Sequence, residues 1–228
     1  MAGSGILSNA KPIRLKTQTP NHGELGEVKD LRRDVEKALA PPANITVEEF
    51  TNPPAAAAAG LRIATASVAA IVAVLAADLL LGGVLPFARQ ITFTTAGVTP
   101  AEAPANVVIT GTDIDGKVQS ETLNLAQTAA LVASVKAYKT VTSLVFPAAD
   151  GTAATVSVGW AAPLGLTQSP VVRAGAAFTV LEVSAGTRVT TGTLTDATTN
   201  PPHGLYTPAA AANGTNDYAV FFESVPAT

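Results

Sequence analysis

Apolar and polar positions alternate most regularly between residues 88 and 160, where the chain reads as antiparallel β-structure. Two β-prone runs, residues 107–112 and 118–123, flank Asp113-Ile114-Asp115-Gly116-Lys117. Asp and Gly tolerate the left-handed backbone that a tight turn needs, so this stretch predicts a hairpin. Residues 90–95, 139–146 and 154–160 carry the same Val, Ile, Thr and Phe enrichment, and residues 147–152 hold a second Asp-Gly turn. Residues 98–104 read as a loop. Residues 125–137 suit a helical turn or a strand pair, and strand and loop are preferred because the neighbours are strands.

The pattern changes on both sides of this module. Residues 178–183, 188–195 and 219–223 read as short strands, with a Pro- and Gly-rich loop at 200–208, so residues 169–228 form a second β segment. Short strands separated by regular turn signals predict a mainly β fold, an antiparallel sandwich or barrel. Upstream, residues 1–20 lack core-forming residues and read as an extended arm that is either disordered or laid along a neighbour. Residues 21–40 read as a short amphipathic helix. Asn21 caps it, Glu24 stands in capping-box position, and Leu25, Val28, Val35 and Leu39 recur at heptad-like spacing beside Leu31. Two heptads are too short to be stable alone, so the helix packs on its own body, a neighbouring subunit or a third protein. Residues 41–60, bracketed by Pro41-Pro42 and Pro53-Pro54, read as a linker, and residues 61–168 as the β body. Whether residues 61–85 are strand or helix stays open, and buried structure is expected there, in a core or a subunit interface.

Composition sharpens this picture. Charged residues make up 14% of the 228 and hydrophobic residues 47%, where a lone soluble domain carries about 25% charge. A surface so poor in charge points to coverage by partners. Seven of the 14 Lys and Arg lie in residues 1–40, which marks a boundary near residue 40. A net charge of −3 argues against a nucleic-acid coat protein. Residues 63–77 are apolar but too few to span a bilayer, and Asp78 interrupts the longer window, so no membrane partner is expected.

Catalytic machinery is not expected. The chain has no Cys and two His, His22 and His203, neither near a nucleophile-elbow pattern. Asp113 and Asp115 resemble the start of a calcium loop, but Val118 stands where Gly is wanted and Asn124 where Glu is wanted. A hairpin turn accounts for both aspartates, so no metal or other cofactor is expected. Asp113, Asp115, Glu121, Asp150, Glu182 and Asp217 are the carboxylates a glycosidase would draw on, and no sequence feature pairs any two of them. One Trp (Trp160) and three Tyr leave little to stack on sugars. Gly82-Gly83 lacks the Lys-Ser/Thr of a phosphate loop, and the Asn44 and Asn213 glycosylation triplets have no secretion signal beside them.

Residues 91–160 resemble a recurring theme of tailed-bacteriophage virion structural proteins. The likeness rests on the hairpin at 108–123, on Lys136-Ala137-Tyr138-Lys139-Thr140-Val141-Thr142-Ser143 and on the 147–155 turn, with residues 204–223 resembling the ends of such proteins. The resemblance implies a non-enzymatic capsid decoration (cement) protein on the virion exterior. It would bind the major capsid protein and itself, as a homotrimer, without nucleic acid. The arm and helix would supply the contacts, through Ile6, Ile13, Leu15, Leu25, Val28, Leu31 and Val35. Two further readings are a tail, baseplate or head–tail connector component, and a host-surface or glycan-binding module using His203, Tyr206 and Tyr218.

Overall fold

A computed structural model describes residues 45–97, 102–125, 130–149, 154–171, 181–184, 186–189, 192–199 and 202–224. The arm, the helix and all seven expected contact residues lie outside the described residues, as do His22, Asn44 and Asp150. The described strands, in chain order, are β1 (Ile45–Phe50), β2 (Ala57–Ala66), β3 (Val72–Leu75), β4 (Val84–Ala96), β5 (Asn106–Thr112), β6 (Val118–Asn124) and β7 (Ala130–Phe146). They continue as β8 (Thr155–Trp160), β9 (Leu164–Gly165), β10 (Leu181–Ser184), β11 (Thr187–Val189), β12 (Thr193–Thr195), β13 (Leu205–Thr207) and β14 (Tyr218–Glu223). Two 3-10 turns, Ala76–Asp78 and Leu80–Gly83, join β3 to β4. The fold is mainly β, built of antiparallel sheets.

The largest sheet runs β2-β8-β4-β7-β5-β6, with β3 also on β7. The long strand β7 organises it. Its first half pairs with β4 (Thr95↔Ala130 to Gln90↔Ala137), and its second half pairs with β3 (Leu75↔Ser143 to Val72↔Phe146) on one edge and β5 on the other. Residues 130–137 are therefore continuous with the strand expected at 139–146, because partners on its edges satisfy the backbone of an Ala-rich stretch with no strong strand preference of its own. A register shift between Gln90 and Thr92 leaves a bulge. Buried Ser134 fills it: the Ile91 N–H donates to Ser134 Oγ at 2.8 Å, and Gln90 Nε2 donates to the Ser134 carbonyl at 2.7 Å. Leu61, Leu85, Ile91, Phe93, Ile109, Tyr138, Leu144 and Val158 form the core of this sheet.

The second core is discontinuous in sequence. β1 pairs with β14 from Ile45↔Glu223 to Phe50↔Tyr218, in a sheet ordered β1-β14-β10-β11. β12, β13 and β9 make a third small sheet. Phe50, Leu164, Leu166, Tyr206, Tyr218, Val220 and Phe222 are buried together. The 41–60 stretch read as a linker thus contains β1 and the start of β2, and β1 closes the C-terminal segment. Phe50 is the reason: its ring lies 5.8 Å from Phe87 and 6.1 Å from Tyr206, inside the second core.

Arg89 ties the cores at the same level. It is 1% exposed. Nη1 donates to the Ala161 and Ala162 carbonyls at 2.9 and 3.2 Å, and Nη2 to the Pro54 carbonyl at 2.7 Å. Burial lowers its pKa to about 10, which leaves it charged at neutral pH. Close by, Trp160 Nε1 donates to the Ala55 carbonyl, and its ring lies where a Cβ on Gly60 would stand.

Candidate functional site

The apolar segment read as buried is only half so. Leu61, Val74, Leu79 and Leu85 point inward, while Ile63, Val68, Ile71, Leu75, Leu80, Leu81 and Val84 are exposed. These seven stand against three other large exposed apolar side chains among the described residues, so most of the exposed apolar side chains fall in one stretch of chain, a ridge running from β2 through β3 and the 3-10 turns to the start of β4. Strand alternation explains the split, since β3 has one face on the core and the other on solvent. Within the ridge Leu81 adopts φ 60°, ψ 15°. A left-handed leucine costs about 1–2 kcal/mol, and here it sets an apolar side chain into solvent. Beside the ridge lies a cleft of about 180 Å³, lined by Arg62, Thr65, Val68, Val72, Pro104 and Phe146 among others. Buried Ser67 Oγ, also in its lining, has no hydrogen-bond partner among the described residues. Among the described residues no helix is long and apolar enough to cross a membrane.

The carboxylates considered for chemistry are engaged mainly by backbone. Both Glu121 oxygens accept N–H groups, from Val135 at 2.8 Å and Lys136 at 3.1 Å. Asp217 Oδ1 accepts the Asn52 N–H at 2.9 Å. Glu182 is fully buried; Oε2 accepts the Tyr206 hydroxyl and the Ala209 N–H, while Oε1 has no partner. Burial first, and then the hydrogen bond to Glu182, push the Tyr206 phenol far above the usual range. Glu48 Oε1 accepts three donors, Thr167 N–H and Oγ1 at 2.7 Å each and Gln168 N–H at 3.3 Å, yet burial holds its pKa above the ordinary value.

Asp113 and Asp115 do come together, and with His203, 88 positions away from Asp115. Asp113 Oδ1 accepts the Asp115 and Lys117 N–H groups at 2.9 Å each, and Gly116 at φ 79° completes the turn. His203 Nε2 lies 2.8 Å from Asp115 Oδ2. Nothing in the local sequence signals this meeting, because His203 is carried by the loop before β13 and its partners by the β5–β6 turn. Tyr206 and Tyr218, grouped with His203 in the glycan reading, are 0% and 1% exposed. Their rings fill the second core, which removes them as sugar platforms. Trp160 is also buried.

No protein-family model matches the chain, and comparison with curated proteins and with solved structures likewise finds no match.

Proposed function

We propose that this chain is a non-enzymatic structural protein of a tailed-phage virion, a decoration protein that binds the major capsid lattice from outside as a homotrimer. The observation that carries this reading is the exposed ridge of seven large apolar side chains over residues 63–84, on a body with little charge. Monomeric soluble proteins rarely leave large contiguous apolar patches uncovered, and interfaces are where such surface is buried. The antiparallel body suits the role, since its cores are closed around Phe93, Tyr206 and Phe222. In this reading the ridge joins copies to one another and residues 1–40 reach the capsid protein, through Ile6, Ile13, Leu15, Leu25, Val28, Leu31 and Val35.

The test is binding to undecorated capsid shells, comparing the full chain with a variant lacking residues 1–40. The full chain is expected to co-sediment with shells, and the truncated one to stay in the supernatant while unfolding cooperatively at the denaturant midpoint of the full chain's β body. Equal binding by both would overturn the role given to the arm. A full chain that ignores shells would move the assignment to the connector or tail.

A further inference from the structure

We propose that Asp113, Asp115 and His203 form a binding site for a divalent cation of the zinc class, joining the β5–β6 hairpin to the loop before β13. One ligand atom from each side chain lies within 4.8 Å of the other two. A mixed imidazole and carboxylate set suits Zn²⁺, Co²⁺ or Mn²⁺ better than Ca²⁺, which takes oxygen ligands. Two donors on a tetrahedral zinc stand ~3.3 Å apart, from Zn–ligand bonds of ~2.0–2.1 Å. His203 Nε2 and Asp115 Oδ2, at 2.8 Å, need only separate slightly. Asp115 is 41% exposed on its side chain, so it has room to adjust.

Two further features point to a cation rather than a simple latch. Asp113 is 4% exposed, and two backbone N–H groups hold its Oδ1, so its carboxylate is fixed in the turn beside His203. The side chain lines, with His203, Ile114, Ala137 and Leu166, a gap of about 10 Å³. That is room for about one water-sized occupant. The surrounding charge is also unbalanced. His203 is the nitrogen ligand facing Asp113 and Asp115. A cation gives the buried Asp113 carboxylate the counter-charge that a neutral imidazole does not. Protein ligands from three side chains leave further positions to water.

The absence of Cys and the presence of only two His make the test clean. The metal-free full chain would be titrated with Zn²⁺ while its Tm is followed, and with Co²⁺ while visible absorption is followed. Zinc at a hundredfold excess over its Kd should raise Tm by about 5–10 °C, and Co²⁺ should give a ligand-field band. Both signals should be lost in His203→Ala and reduced at least about tenfold in affinity in Asp113→Asn. His22→Ala should keep both. Asp115→Asn covers the case in which Asp113→Asn fails to fold, since Asp115 is exposed, and it too should lose the band. No Tm rise with Zn²⁺ and no Co²⁺ band, or an equal Tm rise in His203→Ala, would overturn the site. So would a signal that disappears with His22→Ala instead.

Discussion

At Arg89 a single side chain decides how two cores meet. Its guanidinium sits where no carboxylate is within salt-bridge distance among the described residues, and three carbonyls from two connecting segments take its protons. Charged hydrogen bonds of this kind are worth about 1.5–3 kcal/mol each when one partner is left behind. Arg89→Ala should therefore cost about 3 kcal/mol or more, read as a fall in urea midpoint at unchanged slope; a loss below about 0.5 kcal/mol, the surface-substitution range, would show that the carbonyls find other donors. Glu48 makes a different prediction. Burial raises its folded pKa above the ordinary 4.5, outweighing the lowering by Thr167, Gln168 and His203. Its protonated form is the one the fold favours. The stabilisation is fully present below pH 4.5 and is lost as pH rises through the raised folded value. Glu48→Gln should remove that slope, so the variant's stability relative to the parent should increase from pH 4 to pH 7 in paired denaturation curves. An unchanged difference would mean that Glu48 titrates normally. The first Glu of Glu48-Glu49-Phe50, in a Pro-flanked stretch, gives no sign of any of this; the burial comes from β14 and from Thr167, far along the chain.

Among the elements, strands were readable where β-prone residues cluster between turn signals. The β5–β6 hairpin, β8 and β14 fall within a residue or two of the pattern, since runs of Val, Ile, Thr and Phe and the Asp-Gly turn are local properties. The 57–84 stretch was not readable, because Ala and Leu suit helix and strand alike. It becomes two strands and two 3-10 turns, held by β8 and β7. The ridge this creates can be tested without disturbing the core. Ile71 and Leu75 are 73% and 57% exposed, so Ile71→Asp with Leu75→Lys should change stability by no more than about 0.5 kcal/mol per site. In light scattering the same pair should turn a trimer into monomers. A trimer that persists would place the subunit contacts elsewhere.

For the whole molecule, the proposed assembly gives capsid binding to residues 1–40 and the fold to the β body. The described strands begin at Ile45, which pairs with Glu223, and the described core clusters are built from residues of those strands and the segments between them. Binding and folding are thus separable in the proposed assembly: losing residues 1–40 should abolish capsid association while leaving the denaturation midpoint of the β body in place. The candidate cation site sits at the opposite level of organisation. It joins two loops that belong to different sheets, so its ligands are brought together only when both sheets are built. Zinc should therefore act on global unfolding and leave the hairpin's local register unchanged.

The sequence by itself determined the mainly β class, the hairpin around Asp113 and the scarcity of charge. Each follows from short-range alternation, turn chemistry or composition. Only the tertiary structure decided that β1 belongs with β14, that Tyr206 and Tyr218 are core residues, that half of the 63–84 segment faces solvent, and that His203 meets Asp115. These outcomes depend on which strands share an edge and which loops share an end of the sheets. Such pairings join residues more than 80 positions apart, and their free energy comes from closing cores that no local window contains.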